Sequence, residues 1–223
     1  MKKFGVLLLA VFSVALFASQ AQAQGVTYGL KAGLNLANVT IKTSETDMPA
    51  FKSQMGLVEG IFVNFKLGPV TIQPELLYSQ RGTKWNEYTG TDAVVTGHMR
   101  LSYLEVPILV KYSFLSGPAK PFILAGPSIA FLMKSGWGID VDYTDPDSMD
   151  YNYMYDFKNL LKKTDFAGVF GIGVDYKLPK FVVSLEARYY LGFTNVANAD
   201  LQAEMGITSA KNKGFSILIG IGL

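Results

Sequence analysis

Eight segments of this chain alternate apolar residues with polar or small ones at a period of two. No other feature constrains the fold as much. The clearest is residues 103–112, where Leu104, Val106, Ile108, Val110 and Tyr112 form one set and Tyr103, Glu105, Pro107, Leu109 and Lys111 the other. Successive side chains of a strand point to opposite faces, so the first set makes a wholly apolar face. The second carries a carboxylate and an ammonium among apolar residues. Such a strand rises about 33 Å, and tilted by about 40° it climbs roughly 25 Å, the height of the apolar band of a membrane barrel.

The other segments repeat the design. In residues 28–36, Tyr28, Leu30, Ala32, Leu34 and Leu36 oppose Gly29, Lys31, Gly33 and Asn35. In 57–66, Ile61, Val63 and Phe65 oppose Gly60, Phe62, Asn64 and Lys66, with Glu59 placed at the outer end. In 70–80, Ile72, Pro74, Leu76 and Tyr78 oppose Thr71, Gln73, Glu75, Leu77 and Ser79. Residues 100–112 are the fourth segment. The two faces of the fifth, 121–133, are not separable by pattern. The sixth and seventh, 166–177 and 181–193, set Phe170, Ile172, Leu185 and Tyr189 against Gly171, Asp175, Glu186 and Arg188. The eighth, 214–223, sets Phe215, Ile217, Ile219 and Ile221 against Ser216, Gly220 and Gly222. Pro74 and Pro107 lie inside strands and predict disturbed local pairing, because proline has no N–H to give to a ladder.

The connections alternate in length. Residues 39–54, 82–97, 134–163 and 194–212 read as long polar loops, whereas 67–69, 116–118 and 178–180 are tight turns built on Gly-Pro or Leu-Pro. An eight-stranded antiparallel up-and-down transmembrane β-barrel gives this order, with both termini on the short-turn, periplasmic side. Phe65, Tyr112, Tyr176 and Phe181 then fall at one rim and Tyr78, Phe166, Phe193 and Phe215 at the other. All eight share the parity of their strand's apolar face, as two interfacial girdles require.

Residues 1–23 read as a secretory signal peptide, with Lys2 and Lys3, an apolar run over 4–17 and the small-x-small cleavage pattern Ala21-Gln22-Ala23. The barrel domain is then 24–223. No later stretch is long and apolar enough for a membrane helix, so any span is a closed barrel. Formal net charge is +2, and removing Lys2 and Lys3 leaves a neutral remainder, which offers nothing to nucleic acid. With no cysteine, disulfides, thiolate metal sites and cysteine nucleophiles are excluded.

The parity opposite the apolar face collects Lys31, Lys111, Lys177 and Arg188 with Glu75, Glu105, Asp175 and Glu186. An eight-stranded barrel is just wide enough for its side chains to fill, so a balanced set of paired charges is expected rather than an open pore. A polar or proton-conducting path is the sharper alternative. Three other features bear on function. His98, the only histidine, reads as a solvated loop residue rather than a general base, no serine or aspartate being placed beside it by spacing. Asp140, Asp142, Asp145, Asp147, Asp150 and Asp156 crowd the third loop, but Asp145 and Tyr151 stand where a helix-loop-helix calcium site needs glycine and glutamate. Tyr143, Tyr151, Tyr153, Tyr155 and Phe157 of the same loop suit either a partner surface or a cap packed with Leu160 and Leu161. No catalytic, cofactor-binding or metal-binding residues are assigned, and no cofactor or enzymatic activity is expected.

The stretches 27–38, 73–82 (Gln-Pro-Glu-Leu-Leu-Tyr-Ser-Gln-Arg-Gly) and 103–112, with Ala125-Gly126-Pro127, Arg188-Tyr189-Tyr190 and the closing strand, resemble the PorT-like, "porin family" outer-membrane β-barrel proteins of Bacteroidota. The resemblance covers the whole mature chain. It implies an outer-membrane location, surface loops and, for some members, a role in the secretion or assembly of surface proteins. Expected surroundings are outer-membrane lipid and lipopolysaccharide, with envelope or secretion proteins met through the long loops. Barrels of this kind usually end in an aromatic residue, whereas this chain ends in Leu223. A narrow solute channel, an outer-membrane enzyme and a soluble periplasmic ligand-binding barrel are the rival readings.

Overall fold

The computed structural model describes residues 25–43, 52–89, 93–143 and 151–223; the expected leader lies outside them. The strands are β1 (Val26–Thr43), β2 (Lys52–Leu67), β3 (Val70–Thr89), β4 (Ala93–Ser113), β5 (Ala119–Tyr143), β6 (Tyr151–Tyr155), β7 (Thr164–Lys177), β8 (Val182–Gly192) and β9 (Ile207–Gly222). Each of eight strands pairs antiparallel with the next in the order β1-β2-β3-β4-β5-β7-β8-β9, and β9 returns to β1. The expected eight-stranded antiparallel barrel is therefore present and closed. Closure leaves no edge of the ring unpaired, which hydrocarbon surroundings demand. Among the described residues the remaining strand, β6, pairs only with the upper part of β5, from Trp137↔Tyr155 to Val141↔Tyr151.

The long loops are shorter than the sequence suggests. β3 runs on to Thr89, β4 begins at Ala93, and β5 reaches Tyr143. Beyond the lipid band one face no longer has to be apolar. The alternation that marks a membrane strand stops there, while the backbone ladder continues. Residues 194–212 also contain a short helix, α1 (Ala199–Met205). Asn198 caps it, its Oδ1 accepting from the Leu201 N–H at 2.9 Å, and Gly206 ends it at φ 61, a conformation that favours glycine.

The prolines disturb pairing without moving it. Register is the same on either side of the gap between Pro74↔Ile108 and Leu77↔Glu105, and of that between Pro107↔Ser128 and Val110↔Ala125. The chain loses rungs beside each ring but keeps its alignment.

Apolar side chains of the outward parity are open to the surroundings all round the ring. Leu30 is 68% exposed, Ile172 64% and Ile219 56%. A water-soluble protein would not display so continuous a band. Tyr112, Tyr176 and Phe181 mark its short-turn rim, and Phe166, Phe193 and Phe215 its long-loop rim.

The interior is mixed rather than wholly polar. Leu109, Phe122, Leu124, Ala167, Val169 and Tyr190 form one buried cluster. This explains the unreadable fifth strand, since β5 is apolar on both faces, with Ile123 outward and Phe122, Leu124, Ala130 and Leu132 inward.

Candidate functional site

The functional question sits in the barrel interior and its long-loop mouth. Midway, Lys31 (β1), Glu75 (β3), Glu186 and Arg188 (both β8) make one buried cluster. Lys31 Nζ donates to Glu75 Oε1 at 2.7 Å and to Glu186 at 3.0 Å. Arg188 spans the same two carboxylates, donating from one terminal nitrogen to Glu75 at 2.7 Å and from Nε to Glu186 at 2.8 Å. The Gln73 amide also donates to Glu75, and Lys31 lies 4.9 Å from the Phe62 ring. Two cations and two anions satisfy each other, the condition under which charges survive burial.

A second cluster lies nearer the long-loop mouth. Arg81 pairs with Glu105, stands 3.6 Å from Asp165 and packs its guanidinium 3.5 Å over the Tyr190 ring. Glu105 also accepts from Ser128 Oγ at 2.8 Å. Asp165 accepts from Tyr190 Oη at 2.8 Å and from the Asn212 amide at 2.9 Å. At the opposite rim Lys111 pairs with Asp175 at 2.8 Å beside the Phe122 ring.

Seven of the eight charges assigned to the interior are thus where the sequence places them, whereas Lys177 is exposed at the end of β7. Arg81 and Asp165 join the interior set because β3 and β7 extend past the segments 70–80 and 166–177 that alternation marks. The signal was available. Arg81 is two residues beyond Ser79 and Asp165 two before Ala167, both on the inward parity.

Above the second cluster the mouth is covered. The Leu161↔Ala197 bridge joins the third loop to the fourth. Lys162 N–H donates to the Val196 carbonyl at 2.8 Å, and Asn198 Nδ2 to that of Asn159 at 2.8 Å. Leu161 is buried against Leu101, Tyr103, Ala130 and Leu132, with Phe157 and Leu201 beside them. Of the two readings open for this loop, Phe157 and Leu161 follow the cap, while Tyr143 and Tyr155 are exposed. Leu161→Ala is expected to lower stability by about 2–5 kcal/mol, as for other buried leucines. Limited proteolysis within residues 157–162 would measure it, and an unchanged cleavage rate would refute the packing role.

His98 corrects the sequence reading. It is only 2% exposed, and its Nδ1 lies 3.1 Å from Asp140 Oδ2. Spacing could not anticipate this, because β4 and β5 pair beyond the lipid band and bring Thr96 opposite Asp140. Burial lowers the imidazole pKa, and Arg100 adds to that, against the pull of Asp140. The folded state therefore favours neutral imidazole, and its contribution is full above the unfolded pKa of about 6.5. It falls as pH drops from there toward the folded value. Protection factors of the 96–100 amides, taken against intrinsic exchange at each pH, should fall between pH 7.5 and pH 5.5, and His98→Gln should flatten that dependence.

Asp156 accepts from Ser135 Oγ and from the Lys158 N–H, both at 2.9 Å, and the latter bond chiefly lowers its pKa. Asp145, Asp147 and Asp150 lie outside the described residues. Among the described residues no three histidine or carboxylate side chains converge as metal ligands.

A closed eight-stranded ring with an apolar outer surface, charges matched within and a cap over one mouth defines a membrane-spanning barrel with a filled interior. The chain belongs to the outer membrane protein beta-barrel domain family, whose model matches residues 18–198. That family places it in the outer membrane. Solved structures with a similar fold include Neisserial surface protein A, at 15% identity and TM-score 0.41, covering 89% of this chain and 99% of that one. OprG from Pseudomonas aeruginosa is similar at 12% identity and TM-score 0.43, covering 89% and 95% respectively. Ail of Yersinia pestis, in complex with the heparin analogue sucrose octasulfate, follows at 10% identity and TM-score 0.40, covering 90% and 100%. No curated protein sequence matches the chain.

Proposed function

We propose that this protein is a non-enzymatic barrel that holds its long-loop rim, with the β5–β6 extension, at the cell surface in a structural or interaction role. The PorT-like resemblance makes secretion or assembly of surface proteins the favoured setting. In this reading both termini face the periplasm, lipopolysaccharide surrounds the upper band, and envelope or secretion proteins meet the loops. The observation that carries it is the run of matched charges from Lys111–Asp175 through the Lys31–Arg188 cluster to Arg81–Asp165, beneath the Leu161 cap. Such an interior resists ion flow and gives the surface loops a rigid base.

The test is a gel comparing boiled and unboiled outer-membrane fractions, followed by planar-bilayer recording. A mobility shift on boiling with no steady conductance is expected. Steady open-channel current would replace this reading with that of a solute channel. The His98–Asp140 contact favours a second reading, an enzyme at the outer rim. That reading requires His98→Gln to abolish a hydrolytic activity, although the burial of the imidazole leaves little of it for a substrate to reach.

A further inference from the structure

We propose that the outward surface of the long-loop rim binds the phosphorylated headgroup of an outer-leaflet lipid of the lipid A class. The proposal rests on the outer-membrane orientation given above. Lys52, Lys84, Arg100 and Lys134 form one strip across four neighbouring strands, β2 to β5. Lys52 and Lys84 are direct cross-strand partners. Lys84 pairs with His98, two residues from Arg100, and Lys134 pairs with Ser102, two residues from Arg100 on the other side. Direct partners sit about 5 Å apart and diagonal ones about 7–8 Å, so the four charges are contiguous.

All four are exposed. Their side chains share the lipid-facing side of the sheet, because Lys84 keeps the parity of Tyr78 and Arg100 that of Leu104. The pairing carries that face across to Lys52 and Lys134. Arg100 lies opposite Gly82 on one neighbour and Gly136 on the other, and the neutral Gln54 amide, whose oxygen accepts from Arg100 Nε at 2.9 Å, fills the space over Gly82. Like charges placed directly opposite are unfavourable without a counterion. Among the described residues none of the four is within ion-pair distance of a carboxylate. Of the described acids on this face, Glu59 lies opposite Tyr78, Asp140 is engaged with His98, and Asp142 pairs with Val94 beyond the strip. An anion from the surroundings completes the strip.

Height identifies the anion. Lys52 is three residues past the exposed Met55, Lys134 three past Phe131 and Arg100 four past Leu104. Three or four residues of tilted strand climb roughly 10 Å, the depth at which headgroups replace acyl chains. Lys42, Lys211 and Lys213 continue the belt at the same rim on β1 and β9, where Asn38 pairs with Lys213. The strip faces sideways into the leaflet, continuous with the acyl-chain surface below it. A bisphosphorylated lipid can therefore place its chains on the apolar band and its phosphates on the lysines and arginine together.

The experiment titrates the detergent-solubilised full chain with bisphosphorylated lipid A, with its dephosphorylated form and with inorganic phosphate, read by native mass spectrometry. Lipid A should bind and the dephosphorylated form should not. Lys84→Glu/Arg100→Glu/Lys134→Glu should weaken binding on the order of a hundredfold, while Lys120→Glu/Lys177→Glu at the short-turn rim changes nothing. Equal binding by the dephosphorylated lipid, undiminished binding by the triple variant, or displacement by equimolar inorganic phosphate would each overturn the proposal. The boiling shift of the unaltered protein separates the two readings. Its absence brings down the membrane barrel, whereas a normal shift without lipid A binding brings down only the headgroup site. Should the glutamate variant lose its own shift, Lys84→Gln/Arg100→Gln/Lys134→Gln is measured in its place.

Discussion

Replacing Arg188 with leucine should destabilise the barrel by about 3–5 kcal/mol, the cost of removing one partner from a buried charge network. Arg188 contacts both Glu75 and Glu186. Without it the Lys31 ammonium alone must hold two buried carboxylates. Urea unfolding in detergent, followed by the boiling-sensitive band, would give the midpoint shift. Adding Glu186→Gln to Arg188→Leu removes the surplus negative charge and should recover part of the loss, because the remaining Lys31–Glu75 pair is neutral. A single-variant loss below about 1 kcal/mol, or no recovery in the double variant, would mean that water hydrates the cluster.

The second large effect tests whether the outward band of this ring faces lipid or water. Ile172 lies near mid-height on β7, opposite Ile123 and Ala187. Ile172→Arg should cost about 2–4 kcal/mol in a bilayer, against about 0–1 for Leu67→Arg at the short-turn rim. In a soluble barrel both positions would face water, and arginine would be harmless at each. The difference between two equally exposed sites is the informative quantity, and refolding into lipid vesicles under urea would measure it. Equal, near-zero effects would dispose of the lipid-facing band.

Which parts of this molecule could be read from its sequence follows from where alternation is enforced. Within the hydrocarbon a strand must be apolar on one face, so β1 can be recognised at residues 28–36 and β9 at 214–223. Past the lipid boundary the same strands continue to Thr43 and back to Ile207 with no such demand, and periodicity gives no sign of them. The loss reached the interior because Arg81 and Asp165 stand just beyond the recognised ends. β5 hid its faces for the opposite reason, since its inward residues join an apolar cluster. α1 did carry signals, with Asn198 at its start, Asp200 in its first turn and Gly206 after its end, but seven residues are too few for a helical period to emerge. The His98–Asp140 contact depends on a register that no local pattern encodes.

The pairing of β1 with β9 fixes an order of events. Tyr28 and Leu223 exchange backbone hydrogen bonds at 2.8 and 3.2 Å, so the seam joins the first described strand to the last. Until β9 has crossed the inner membrane, the preceding strands hold open edges and an uncovered greasy surface, and nearly the whole chain must wait in an aggregation-prone state. Local turns can form early at 67–69 and 178–180, but the ring is completed only by its most distant contact, which makes closure slow and all-or-none. A chain of this design is most open to aggregation before its last strand is in place. Substitutions in β9 should delay its arrival at the surface more than equal substitutions in β3, even where the finished barrels are equally stable.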